Sequence, residues 1–315
     1  MAFYLVTGGA GFIGSHLAEE LVRRGHTVRV ADNLMTGKRS NLDHIPGVEF
    51  LEGDLADFAF AQRAVGGMNF VLHQAAIPSV PRSVKDPIAS NRANTDATLN
   101  VMVAARDAGV KRLVFAGSSS EYGNTPTLPK REDMPPSPLS PYALQKVTGT
   151  TYCQMFYRLY GFEAVSIRYF NVFGPRQDPG SPYSGVISQF ATALSEGRRP
   201  TIYGDGEQTR DFTYIANVVD GVLRACEAPK APGEAINVAC GIRISLNRLL
   251  AVMNEIAVTS IEAIHKEERA GDVRDSQADI SKAKALLGYQ PIVDLEVGLR
   301  HTLAWCQRER AAAKR

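Results

Sequence analysis

The sequence predicts an α/β protein: a doubly wound parallel sheet followed by a smaller C-terminal α/β lobe. Short apolar runs alternate with helical patterns through the first half. The first run passes straight into a glycine loop and a helix. Near Asn171 the alternation gives way to loop chemistry, Gly-Pro-Arg-Gln-Asp-Pro at 174–179. At 315 residues the chain can form one large domain or two modest ones, and 44% hydrophobic residues suffice for a core.

The elements follow in order. Phe3–Val6 reads as the first strand, and Thr7-Gly-Gly-Ala-Gly-Phe-Ile-Gly14 follows at once. In such a loop Gly8 permits the tight turn, Gly11 lets the backbone approach phosphates, and Gly14 lets the helix pack close to the strand. The helix then presents free amides and its positive end to phosphate charge. Ile13, Leu17 and Leu21 give it one apolar face, and Gly25 stops it. The second strand, Thr27–Ala31, ends in Asp32, an acid about 20 residues past the glycines, placed for ribose hydroxyls. A carboxylate there repels a 2′-phosphate, so NAD is favoured over NADP. The alternative is a structural glycine turn with a surface aspartate.

Further strands are expected at Val48–Leu51, Phe70–Leu72, Leu113–Ala116 and Ala164–Ile167, with helices at 56–65, 88–108 and 141–160. Ligands of such sheets bind at the carboxyl ends of the strands. Those ends carry Asp32-Asn33-Leu34, Gly53-Asp54-Leu55, His73-Gln74-Ala75-Ala76, Gly117-Ser118-Ser119-Ser120 and Tyr169-Phe170-Asn171. Helices are expected at 185–196, 215–227, 245–256 and 281–287, and Ala235–Val238 reads as a late strand returning to the sheet. The division is therefore interleaved: residues 1–170 form the dinucleotide-binding part, 212–240 partly return to it, and 171–315 form the second lobe.

Composition excludes several classes. A net charge of +2 gives no footprint for nucleic acid or a membrane surface. The four cysteines are scattered without CxxC or zinc spacing, as for inert thiols in a reducing compartment. No apolar run reaches membrane-span length, and the N-terminus enters a strand without a basic leader, so the reading is cytoplasmic. No metal site is evident.

Tyr142 and Lys146 lie four apart, on one face of the 141–160 helix. An ammonium near a phenol favours phenolate and draws its pKa toward neutrality, and an oxidised nicotinamide pushes the same way. Such a tyrosinate takes a proton from a sugar hydroxyl, and the Ser118–Ser120 run offers a relay. A chance pair on an exposed face is the competing view. His73 reads as a packed brace rather than a base, and Glu121 as either an acid catalyst or a structural group.

With these residues in place, the chain resembles the extended short-chain dehydrogenase/reductase family, Rossmann-like in fold, and within it the UDP-hexose 4-epimerases. Its marks are Thr7–Gly14, Asp32-Asn33-Leu34, Gly53-Asp54-Leu55, His73–Ala76, Asn94, Ser118–Gly123, Tyr142/Lys146, Arg168–Pro175, Tyr203–Gly206, Thr209–Phe212 and Arg269–Asp272. The resemblance implies that Tyr142 removes the C4 hydroxyl proton with a serine bridging, Ser118 or else Ser119. The C4 hydride passes to tightly held NAD, and the 4-keto sugar turns and takes it back on its other face. It also implies cofactor contacts from Gly8, Gly11, Phe12, Ile13, Gly14, Asp32, Asn33, Asp54, Leu55, Gln74, Ala75, Asn94, Tyr142, Lys146 and Tyr169. Asn171, Val186, Tyr203, Arg210, Arg269 and Asp272 match positions that hold the uridine nucleotide, and the two arginines suit a diphosphate. A homodimer through 88–108 and 141–160 is implied as well.

Where many glucose/galactose epimerases carry a lysine, this chain has Pro78, and its Ser79-Val-Pro-Arg-Ser83 is similar to the N-acetyl-hexosamine epimerases. Ser276 stands where a bulky tyrosine is frequent. A small residue there leaves room for a 2-acetamido group without excluding the smaller sugar. The expectation is therefore UDP-GlcNAc/UDP-GalNAc, with UDP-Glc/UDP-Gal also accepted. A dehydratase of the family would need an Asp-Glu pair where Ser119 and Ser120 stand. A reductase or a non-catalytic NAD-binding sensor completes the alternatives.

Overall fold

The computed structural model describes residues 1–178, 185–268 and 273–313. Seven parallel strands form its central sheet. They are β1 (Phe3–Thr7), β2 (Thr27–Asp32), β3 (Glu49–Glu52), β4 (Phe70–His73), β5 (Arg112–Ser118), β6 (Glu163–Tyr169) and a seventh, Ala235–Val238. Their spatial order is β3-β2-β1-β4-β5-β6-seventh, which reverses direction beside β1 and opens a crevice between the carboxyl ends of β1 and β4. The late strand pairs with β6 in parallel, Ile236 opposite Ile167, so the sheet is completed from the second half of the chain.

Both faces of the sheet are covered, so its strands are apolar on both sides. Leu17 and Leu21 of helix α1 (Phe12–Arg23) pack with Val6, Val28 and Val30 on one face. Leu5, Val71, Leu113 and Phe115 meet Val101 and Met102 on the other. Each buried aliphatic side chain contributes roughly 1.5–3 kcal/mol, and β-branched residues suit these strands.

Expected helices occur at Phe58–Val65, Pro141–Tyr160, Val186–Ser195, Ile215–Glu227, Leu246–Ala257 and Ser281–Leu287. The Pro141–Tyr160 helix has clear punctuation: Ser140 accepts from the Ala143 amide, Pro141 begins the first turn, and Gly161 ends it in the left-handed region.

The helix expected at 88–108 forms as one continuous run, 87–107, with a π turn inside it and a short separate helix before it. Val80–Lys85 is capped by Ser79, Pro87–Asn91 is capped by Asp86, a π turn covers Arg92–Asp96, and Ala97–Asp107 completes the run. Asp86 and Pro87 separate the short Val80–Lys85 helix from this run. The π turn carries Asn94, which is tied to the backbone of Ile77. A C-terminal helix, Leu295–Ala313, was not anticipated; it packs on Val186–Ser195 through a stripe that includes Leu299 and Leu303. No helix among the described residues is long and apolar enough to cross a membrane.

Candidate active site

The crevice holds a cavity of about 690 Å³ at the carboxyl edge of the sheet. Its floor is the glycine loop. Gly8 has φ +63°, and its own carbonyl accepts from the Gly11 amide at 3.1 Å. A Cβ on Gly14 would stand 2.3 Å from the Gly8 carbonyl oxygen, so only glycine lets α1 begin this close to the loop. Asp32 is held at the rim by two amides, Ala10 to Oδ2 at 3.0 Å and Leu34 to Oδ1 at 2.8 Å. Burial pushes its carboxyl above the ordinary range, and these amide bonds oppose the shift.

The cavity gathers Gly8, Gly11, Phe12, Ile13, Gly14, Asp32, Asn33, Asp54, Leu55, Gln74, Ala75, Ser79, Tyr142, Lys146 and Tyr169. Asn94 stands behind the wall, bonded to Ile77 and, at 2.7 Å, to Gln145 Oε1. Sequence reasoning missed Thr36, Gly37, Lys38, Arg82, Arg176 and Gln177, which also line the cavity. The first three simply continue the Asp32-Asn33 motif and were legible there; Arg82 lies within the Ser79–Ser83 motif, and Arg176 and Gln177 sit in a segment that reads as loop.

His73 is a brace. Thr7 Oγ1 accepts from the amides of Gln74 and Ala75 at 3.1 and 3.2 Å, so its proton goes to His73 Nδ1 at 2.7 Å. Thr98 Oγ1 donates to the Asn94 carbonyl, so it accepts from His73 Nε2 at 3.0 Å. This chain fixes a neutral tautomer, and burial pushes the ring down to about 3.

Ser118, at the end of β5, accepts two hydrogen bonds from Ser120, from its amide at 3.1 Å and its hydroxyl at 2.8 Å. The Ser118 proton is then not used within the turn, and the Ser118 hydroxyl favours phenolate at Tyr142. Ser119 lies on the same turn. Lys146 Nζ lies 5.8 Å from the Tyr142 ring centre and donates to the Ala116 carbonyl at 2.7 Å.

The expected lowering of the Tyr142 pKa by Lys146 is not what the chain alone produces. Burial dominates and pushes the phenol up to about 12, against the Ser118 hydroxyl and helped by the negative Glu121. Burial also pushes Lys146 down to about 8, opposed by Glu121. An added positive charge beside the phenol is what would reverse the balance.

Glu121 resolves as a structural group. It is fully buried, its Oε1 accepts from the Ser118 amide at 3.0 Å, and its Oε2 pairs with Arg168 at 2.9 Å.

A second, smaller cavity of about 250 Å³ adjoins the first and shares Val172, Gln177 and Gly185 with it. It brings together Asn171, Val186, Tyr203 and Arg210. Arg210 also donates to the carbonyls of Thr209 and Arg274, each at 2.9 Å. Ser276 lines neither cavity; it is buried beside them, its amide donating to the Thr209 carbonyl. Arg269 and Asp272 lie outside the described residues.

The residues fit a dinucleotide on two observations. The Gly8–Gly14 cradle is one that a Cβ would fill, and Gln74 Nε2 is buried without a partner while Gln74 Oε1 accepts from the Tyr169 hydroxyl at 2.9 Å. Glycine cradle, rim aspartate and the Ser/Tyr/Lys group define a dinucleotide-dependent enzyme of the extended short-chain dehydrogenase/reductase class. Residues 4–239 match the family described as NAD dependent epimerase/dehydratase, and the chain belongs to that family.

Relatives extend across nearly the whole chain. A UDP-glucose 4-epimerase of Mycolicibacterium smegmatis is 39% identical over 95% of this chain and 96% of its own. A UDP-N-acetyl-alpha-D-glucosaminuronate decarboxylase of Bacillus cytotoxicus is 34% identical over 96% of each. The solved UDP-N-acetylglucosamine 4-epimerase of Methanobrevibacter ruminantium, in complex with UDP-N-acetylmuramic acid, superposes with a TM-score of 0.94, at 38% identity and covering 98% and 99% of the two chains.

Proposed function

We propose that the protein is an isomerase, an NAD-dependent UDP-hexose 4-epimerase acting on UDP-GlcNAc/UDP-GalNAc and also on UDP-Glc/UDP-Gal. The observation that carries this reading is the placing of Tyr142 and Lys146 on the wall of a dinucleotide-sized cavity that shares Val172, Gln177 and Gly185 with the Tyr203/Arg210 pocket. Family membership and the epimerase relatives support it.

NAD, when bound, supplies a reversible hydride acceptor and a positive charge next to the phenol. Gly8, Gly11 and Gly14 would seat its pyrophosphate, and Asp32 its adenine ribose. Tyr142 takes the proton from the sugar C4 hydroxyl, and Ser118 carries that proton between the two oxygens. Lys146 would hold the nicotinamide ribose and add its positive charge there. Val186, Tyr203 and Arg210, joined by Arg269 and Asp272, hold the uridine diphosphate so that the hexose can turn while its anchor stays fixed. Inversion at C4 follows with no net redox change.

Residues 1–170 with 212–240 serve as the cofactor lobe and 171–315 as the sugar lobe. Homodimerisation through 88–108 and 141–160 is supported by exposed Ile88, Leu144 and Leu159 on those segments. Free cysteines support a cytoplasmic setting.

The test is direct. The protein is incubated separately with UDP-GlcNAc, UDP-Glc and a UDP-hexuronate, and C4 isomers and CO2 are resolved. Epimers from the first two, with no net NADH, support the reading; CO2 from the uronate alone would replace it with decarboxylation. A dehydratase reading is disfavoured by Ser119 and Ser120, which stand where water elimination would need an Asp-Glu pair.

A further inference from the structure

Ser118 needs support from beneath, because the turn it opens is a single 3₁₀ turn, Ser119–Tyr122, with little structure of its own. That support is a buried polar chain. Glu121 Oε1 accepts from the Ser118 amide and, at 3.1 Å, from Thr150. Its other oxygen pairs with Arg168 of β6, whose Nη1 donates to the Tyr122 hydroxyl at 2.9 Å. Tyr122 in turn donates to Asn237 Oδ1 at 2.7 Å, and Asn237 lies on the seventh strand. The Asn237 side-chain amide continues to the carbonyls of Lys130 and Asp279, at 3.0 and 3.2 Å. Glu121, Tyr122, Arg168 and Asn237 are all buried.

A buried ion pair is a poor source of stability, because desolvation offsets most of its attraction. It is a good source of geometry, because every donor and acceptor along it has one place to go.

We propose that Glu121 is a positioning residue: with Arg168, Tyr122 and Asn237 it fixes the Ser118 turn from the far edge of the sheet, and so sets where the Ser118 hydroxyl stands relative to Tyr142. This inference rests on the epimerase reading and deepens it. Glu121 touches neither cavity, and its hydrogen-bonded link to the site is the Ser118 amide.

The experiment is a double-mutant cycle read by C4 interconversion of UDP-GlcNAc with the NAD-loaded enzyme. Glu121→Gln keeps the shape and removes the charge; it is expected to lower kcat about tenfold or more while leaving KM and bound NAD within about twofold. In a Ser118→Ala background the same change is expected to cost almost nothing further. Tyr122→Phe removes one hydroxyl and keeps the ring, so it serves if Glu121→Gln does not fold. It should lower kcat by a smaller factor, again without effect once Ser118 is gone.

Losses that multiply across the two sites, or a kcat unchanged in the foldable variant, would overturn the proposal. A wild-type enzyme that interconverts no UDP-hexose would instead overturn the epimerase reading, so the two failures are distinguishable.

Discussion

Arg176 and Glu19 meet at 2.5 Å, joining the loop after β6 to helix α1 across 157 residues of sequence. Arg176 also donates to His16 on that helix and approaches His44, while Lys38 pairs with Asp178 at 3.3 Å. Lys38, Arg176 and Asp178 all line the large cavity, so this contact straps a loop across the dinucleotide site. Arg176→Ala is expected to release NAD on the order of tenfold faster, a loss of about 1.4 kcal/mol, with kcat retained at saturating NAD. Cofactor content after gel filtration checks it; undiminished retention would count against a strap.

The same cluster sets a pH dependence. Burial, aided by Arg176, pushes His16 down to about 4. The unfolded chain therefore takes up a proton at pH values where the folded one does not. The His16 contribution is complete above about pH 6.5 and shrinks as the pH falls toward 4, by at most about 3 kcal/mol. His16→Gln should flatten denaturant-monitored stability across that window. A residual slope is expected from His73, which burial also holds neutral.

Tyr142→Phe should lower turnover about 10²–10⁴-fold while the protein still binds NAD. The phenol itself should titrate near 12 in NAD-free protein and well below that once NAD is loaded, because the opposing term is a nearby cation. Ultraviolet difference titration of both forms reads this. An identical titration in the two forms would remove the argument for an activated phenolate.

Two glycines of the loop should fail differently. A Cβ on Gly14 meets backbone at 2.3 Å, and the helix cannot yield without moving. A Cβ on Gly11 meets only the Gly8 carbonyl, at 3.1 Å. Gly14→Ala is therefore expected to destabilise the fold by a few kcal/mol, whereas Gly11→Ala should fold near normally and lose NAD affinity. Thermal melting beside NAD binding separates the two; equal melting losses would show that the loop tolerates less than its contacts imply.

Ser276→Tyr tests substrate size. Ser276 is buried next to Thr209 and hence next to Arg210, though it forms no part of either cavity wall. Turnover of acetamido sugars should fall at least several-fold more than that of plain hexoses. Parallel losses on both classes would mean that the position does not gate by size.

Much of this arrangement was legible because it is local. A strand entering Thr7–Gly14, a rim acid at Asp32, and Tyr142 four residues before Lys146 each carry their chemistry within a few residues. What escaped depends on contacts distant in sequence. Arg176 reads as loop composition until α1 is folded beside it. Glu121 was ambiguous until Arg168, 47 residues on, stood opposite it. The sign of the Tyr142 shift needed burial, which spacing cannot report. The Leu295–Ala313 helix had a visible stripe, but its many charged neighbours masked it.

The edge position of Ala235–Val238 has a bearing on how the chain must be made. A gene truncated near residue 170 would leave the outer backbone of β6 bare, a row of unpaired amides and carbonyls ready to recruit another strand. During synthesis, too, that border stays open until residue 238 has emerged. A nascent polypeptide would therefore hold its nucleotide cradle early but secure the serine turn only late, and a minimal cofactor-binding fragment would have to carry that distant strand with it.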